Sequence, residues 1–224
     1  MGSQQQTYQR ITKTRVFTPP KEVEYIVGFG TSGIVGAINE YEVLKMYKTD
    51  DQHSINEINR EILIYKILGS HENIIGFIEA TERGIKLERM KGNIRTYIES
   101  NEVDITDRVK WCDFAGSCSE NTEPLVMEDA RYTLPRDNYT PNVKSEIFAL
   151  GSTMYEIMQG KKPYNNLDDE EVEKRYRSQE FPDTSNIQYM GKIINGCWFQ
   201  EYNSAEEMVQ AICLVEAELS GKSA

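Results

Sequence analysis

The chain reads as an α+β protein, an antiparallel-sheet half followed by a mainly helical half. Two observations predict this. β-branched and aromatic runs broken by glycines and turn residues fill the first part, with one amphipathic helix among them. From about residue 89 the apolar spacing becomes helical. The 224 residues suit one compact unit with room for two lobes, and no internal repeat or low-complexity tract appears.

Residues 1–20 are polar and end in Pro19-Pro20, which disfavours helix before them and predicts an extended, flexible lead-in. YIVGFGTSGIVGAI and YEVLKMYK read as strands joined by tight turns, with Asn39-Glu40 between them. In SINEINREILIYKILGS, Ile55, Ile58, Ile62, Tyr65 and Leu68 recur at helical spacing, and Gly69 ends the run. IIGFIEA and GIKLER are two more strands around the turn at Arg83-Gly84.

The helical half comprises IRTYIES, VKSEIFALGSTMYEIMQG, EEVEKRYRSQ, NIQYMGKIINGCW and SAEEMVQAICLVEAEL. The second is apolar on nearly every side from Ile147 to Met158, which predicts a buried helix. Ser204 and Glu207 open the last with a capping box. The acidic run 168–171 reads as a solvated helix start, where negative charge suits the helix dipole.

Composition excludes several function classes. Hydrophobic residues at 39% and charged residues at 27% place the chain among globular proteins. A formal charge of -11 makes a poor match to a phosphate backbone, so no nucleic-acid partner is expected. Four cysteines without a C-x-x-C pair, and only His53 and His71, give no ordinary zinc spacing and suit a reducing compartment. With no long apolar span and a polar start, the expectation is no membrane and a cytoplasmic setting, the nucleus left open. Met1-Gly2 lacks the Ser or Thr that a myristoylation motif wants at Gln6.

The chemistry concentrates in one constellation. Gly28, Gly30 and Gly33 form a G-x-G-x-x-G followed by Val35 and flanked by strands, whereas a dinucleotide fingerprint opens into a helix. That context suits a hairpin lid over phosphates as well as a plain structural hairpin, glycine admitting close backbone approach and positive φ. Lys45 lies ten residues beyond Val35 on a strand, facing away from Leu44, where a lysine is ordinarily solvated. Sixteen residues later Glu61 sits between Ile58 and Ile62 on the helix, where its carboxylate can turn inward. An ion pair between them would aim the lysine at α- and β-phosphates.

With these residues in place the chain resembles the protein-kinase family. GFGTSGIV is similar to the glycine-rich loop, VLK to the third-strand lysine motif, and NREILIYKILGSHENIIGF to the helix carrying the paired glutamate. GIKLERMKGNIRTYI resembles the fifth strand and hinge, CDFAGS the metal-binding D-F-G segment with Ala115 in the glycine place, and SEIFALGSTMYEIMQGKKPY the central large-lobe helix. CDFAGS and GCW-x-x-x-Y-x-S-A-E-E further resemble kinase-like proteins of filamentous fungi. The resemblance spans about residues 22–218 and implies a bilobal kinase-like fold, with an N-lobe over 21–88 and a reduced C-lobe over 89–224. It implies ATP and Mg²⁺ as cofactors. Gly28, Phe29, Gly30, Gly33, Val35, Lys45 and Glu61 would surround the nucleotide, and Leu87 would be the gatekeeper. The backbones of Glu88 and Met90 would meet the adenine edge, and Asp113 would be the metal ligand.

The chain departs from that pattern at the catalytic loop. The hinge helix ends near Ser100 and Asp113 follows thirteen residues later, with neither histidine between and no H-R-D anywhere. The base aspartate and the second metal-binding asparagine are therefore absent, and no residue takes a catalytic role. Asp104 and Asp107 read as exposed turn residues, not surrogate bases, and DRVKWC as either the stub of the missing helix or the strand into Asp113. Arg136 stands in the place of the A-P-E glutamate and Glu146 in that of the central helix's aspartate. Losing the long helix should expose Ile147, Phe148, Leu150, Met154 and Ile157 together, a patch calling for a protein partner over the reduced C-lobe. Ser117, Ser119, Thr122, Tyr132 and Thr133 are phosphorylation candidates.

These features imply a pseudokinase, a binding or scaffolding module that retains the ATP and Mg²⁺ half. Two alternatives stand beside it: a Ser/Thr-type kinase whose catalytic-loop exon is missing from this version of the sequence, and a structural module that binds no nucleotide.

Overall fold

The computed structural model describes residues 17–100, 109–118, 123–125, 128–137 and 140–221. Most of the lead-in, Asp104, Asp107, Ser119 and Thr122 lie outside the described residues.

The first half is one five-stranded antiparallel sheet in the order β1-β2-β3-β5-β4. Its strands are β1 Tyr25–Phe29, β2 Ile34–Ala37, β3 Glu42–Met46, β4 Phe77–Thr81 and β5 Gly84–Glu88. The glycine-rich segment is the β1–β2 hairpin, with Gly28 opposite Val35 and Phe29 opposite Ile34. Helix α1, Gln52–Leu68, crosses from β3 to β4, so β4 becomes the far edge. Its N-cap is Asp51, whose carboxylate accepts the Ser54 N–H.

The buried face of α1 is rotated from the expected apolar stripe. It carries Ser54, Glu57, Ile58, Glu61, Ile64 and Tyr65, while Leu68 is exposed. The reason is chemical: the Glu61 carboxylate takes the Lys45 ammonium inside and the Ser54 hydroxyl accepts the Lys48 N–H, and periodicity of apolar residues does not register them. Ile58 and Tyr65 pack with Val43, Ile75, Ile85 and Leu87. On the other face Leu44 and Met46 pack with Val23 and Ile34. The sheet is thus covered on both faces around Lys45.

The helical half contains α2 Ile94–Ser100, a 3-10 turn at Ala130–Tyr132, α3 Val143–Gln159, α4 Asp169–Arg177, α5 Met190–Trp198 and α6 Ala205–Gly221. α5 starts later than its apolar pattern suggests, because Ile187 N–H closes a turn on Thr184 O and Tyr189 takes a positive φ of 59°. At α6 the capping box is shifted: Ser204 Oγ accepts the Glu207 N–H, but the Glu207 carboxylate takes the N–H of Asn203. In the acidic run, Asp168 caps α4 and Asp169 pairs with Arg131, so those two are engaged and not merely solvated.

The expected apolar patch on α3 is not formed. Ile147 and Phe148 are buried, Leu150 and Met154 are half-buried, and of the five only Ile157 is exposed. Phe148 is enclosed with Tyr155, Val172, Tyr176, Ile194 and Trp198, and Ile147 packs with Ile193, Cys197 and Met208. Helices α4, α5 and α6 supply the cover, so the patch on which a covering protein partner rested is absent.

Gly151 makes the α3–α5 approach possible: a Cβ there would fall 2.6 Å from Cys197 Cβ. Gly151→Ala should therefore destabilise the protein by about 1–3 kcal/mol through overpacking, read as a lowered midpoint in urea unfolding with an unchanged slope. Gly92→Ala, where nothing lies within 4 Å, is the control. Among the described residues no helix is long and apolar enough to cross a membrane.

Candidate nucleotide site

The centre of the site is Lys45, brought inward by β3. Its Nζ donates to Glu61 Oε2 at 2.6 Å and to Asp113 Oδ1 at 2.6 Å. Three segments far apart in the chain thus meet on one ammonium. The lysine side chain is 7% exposed and Glu61 fully buried, whereas Asp113 is 56% exposed and opens to solvent. α1 and the Asp113 segment close over the lysine, which is buried and ion-paired with Glu61 instead of lying in solvent as a strand lysine ordinarily does.

The charges support one another. Burial pulls the Lys45 ammonium down, but Glu61 and Asp113 outweigh it and hold it above its ordinary value. Burial raises the Glu61 carboxyl, and Lys45 offsets only part of the rise. Burial acts upward on Asp113 as well, yet the charge of Lys45 and hydrogen bonds from Lys45 and Ser32 keep its carboxyl below the usual range. A protonated lysine beside an ionised, partly exposed aspartate is an arrangement fit for phosphates and a hard cation.

The glycine hairpin lies over this cluster. Gly30 N–H closes the turn on Gly33 O at 2.8 Å, and the nearly buried Ser32 donates from Oγ to Asp113 Oδ1 at 3.0 Å. Gly28, Gly30 and Gly33 do not use positive φ. Gly33 is needed for space instead: a Cβ would stand 2.9 Å from Met46 O and 3.2 Å from Lys45 Cγ. Phe29, at the end of β1, is 76% exposed.

At the expected adenine end, Leu87 is buried beside Val43, and Val35 and Met90 pack against the same cluster. Val35 pairs with Lys45 across β2 and β3. The backbone N–H of Glu88 is spent on Gly76 O at 2.8 Å, so that group is not open to a ligand. The Glu88 carboxylate accepts from Lys110 Nζ at 2.7 and 2.9 Å and from Gly76 N–H at 2.9 Å, which holds it below its ordinary pKa.

Trp111 pairs in parallel with Ile74, exchanging Trp111 N–H to Asn73 O at 2.7 Å and Ile75 N–H to Trp111 O at 3.0 Å. Residues 109–112 are therefore the lead-in to Asp113, not a helix stub. Asp113 takes a positive φ of 63°, which Asp tolerates better than most side chains. Phe114 then turns under α1, its ring edge-on to Tyr65 at 5.1 Å.

Sequence reasoning missed Ser32, Arg60 and Lys110. Arg60 donates to the carbonyls of Ser117 at 2.8 Å and Glu123 at 3.1 Å, tying α1 to the segment after Asp113. The phosphorylation candidates Tyr132 and Thr133 are engaged: Tyr132 donates to Glu156, which also pairs with Arg95 at 2.8 Å, and Thr133 donates to the carbonyls of Glu128 and Asp129. Arg136 lies 3.7 Å from Glu128, and burial together with Glu128 raises the Glu146 carboxyl, so reversed charge at residue 136 finds a local acidic partner. A cavity of about 230 Å³ lined by Leu134, Tyr176, Phe181 and Trp198 lies in the helical half and shares no residue with the Lys45 cluster.

A family model described as protein tyrosine and serine/threonine kinase matches residues 135–212. The matched stretch runs from the end of the 3-10 turn region through α3, α4 and α5 into α6, and leaves Lys45, Glu61 and Asp113 outside it. No curated protein matches the chain.

Proposed function

Starting from the protein kinase-like family that this match supports, we propose that the chain is a pseudokinase: a module that binds ATP with Mg²⁺ and acts by binding or scaffolding instead of phosphotransfer. The observation that carries this reading is the single ammonium of Lys45 held between Glu61 and Asp113 beneath a glycine hairpin. Lys45 would pair with the phosphates, Glu61 would keep the ammonium oriented, and the hairpin of Gly28, Gly30 and Gly33 would lie over them.

The donor set fits magnesium. Among the described residues no cluster of three or more His, Cys, Asp or Glu forms a metal cage. Mg²⁺ needs none, since it is usually held by one or two carboxylates together with substrate phosphates and water. Asp113 offers one such carboxylate. When bound, the ion would neutralise phosphate charge.

Transfer to a protein hydroxyl lacks its base, because the sequence contains no H-R-D and Asp113 follows Ser100 by only thirteen residues. Thermal unfolding with and without Mg-ATP tests the reading. Ligand at about 100 times its dissociation constant should add ~2.7 kcal/mol of stability. A transition indifferent to ATP and Mg²⁺ would leave a purely structural module. Robust phosphate transfer to a general substrate such as casein would instead establish a working kinase.

A further inference from the structure

We propose that Lys110 is a positioning residue for Asp113, taking over the support that a catalytic loop would otherwise give; the inference rests on the nucleotide reading above. Asp113 has no hairpin partner of its own among the described strands. What fixes its approach is a strap. Trp111 is bonded through both backbone groups to Asn73 and Ile75, and one residue earlier Lys110 spans both oxygens of Glu88. Glu88 in turn grips Gly76 twice, through its own N–H and its carboxylate.

Gly76 permits that grip: a Cβ there would stand 3.2 Å from Glu88 Oε2. The end of β5, the 73–76 loop and the 109–112 strap therefore form one hydrogen-bonded unit that runs directly into the lysine-bound carboxylate of Asp113. The Lys110 side chain is 19% exposed and that of Glu88 38%, so the pair is partly exposed and its hold comes from the two-oxygen geometry. The unit links the purine end of the proposed site, beside Glu88 and Met90, with its metal-binding end at Asp113. Lys110 touches neither phosphate nor cation in this scheme and acts through the strap.

The test measures binding of a fluorescent ATP analogue by the full chain, with and without Mg²⁺, for wild type, Lys110→Met, Lys110→Arg and Glu88→Gln. Mg²⁺ should tighten binding to wild type. Lys110→Met should lose about 10- to 100-fold of that Mg²⁺-dependent gain, the usual cost of removing an outer-shell partner, with Mg²⁺-free binding unchanged. Lys110→Arg should restore it. Glu88→Gln keeps the hydrogen-bonding shape without the charge, so it should fold and lose the Mg²⁺-dependent gain even if Lys110→Met does not fold; because Glu88 lies at the purine end, its Mg²⁺-free binding is not used as a control.

An unchanged Mg²⁺ gain in Lys110→Met or Glu88→Gln overturns the proposal and leaves the nucleotide reading standing. In the Lys110 variant, an equal loss with and without Mg²⁺ shows a merely structural role and overturns it too. Wild type that binds no analogue removes the nucleotide reading itself, and the proposal falls with it.

Discussion

Lys45→Ala should destabilise the protein by about 3–5 kcal/mol, the cost of leaving one charge of a buried pair without its partner. Glu61 is completely buried and accepts from Lys45 at 2.6 Å, so truncation leaves a carboxylate with no cation inside the sheet–helix interface. At this chain length each kcal/mol lowers the melting temperature by about 2–4 °C. The double variant Lys45→Met with Glu61→Leu separates charge from packing. Replacing both partners by apolar groups of similar size is often neutral or stabilising, so the double variant should melt near the wild type. Both variants should lose any Mg-ATP shift. A Lys45→Ala protein as stable as wild type would contradict this cost of the unpaired charge.

Trp198→Ala should be as costly for a different reason. Trp198 is 1% exposed, packs against Tyr155 at 5.5 Å and Phe181 at 5.5 Å, and donates from Nε1 to Ser152 Oγ at 3.0 Å. Removing the ring leaves a cavity between α3 and α5, with an expected loss of about 3–5 kcal/mol. Ser152→Ala takes away the indole's hydrogen-bond partner, along with a hydrogen bond to Tyr176, without opening a ring-sized cavity, and should cost about 1–3 kcal/mol, because the buried indole N–H is then unsatisfied. Urea unfolding followed by tryptophan fluorescence measures the second, Trp111 remaining as a reporter in the first. Equal losses for the two variants would contradict this division between packing and hydrogen bonding. The aromatic cluster also explains how Phe148 is covered: its rings close on one another and keep it fully buried.

Much of the site was legible before any coordinates. Lys45, Glu61 and Asp113 are unusual residue types at their positions, and their order along the chain matches a known motif series, so a short list of charged residues already named the cluster. Ser32, Arg60 and Lys110 carried no such signal. Their partners lie 81, 57 and 22 positions away, and one hydroxyl or cation in a sequence looks like any other. The glycines were legible as a hairpin but not in their use, since Gly33 serves the close approach of β2 to Lys45 and not a left-handed turn.

Sequence alone determined the order and type of the elements: strands around one helix, then helices, with the central α3 apolar on nearly all sides. Those are local properties, set by periods of two and 3.6 residues along a short window. It also determined that the H-R-D motif is missing, because that is a matter of residues and not of packing. Only the tertiary structure decided that Lys45 is buried, that α4, α5 and α6 cover α3, and that Lys110 staples the Asp113 strap to Glu88. Each depends on which distant surface comes to lie against a given face. Periodicity shows that a face must be covered, but the covering partner is chosen by the packing of the whole chain.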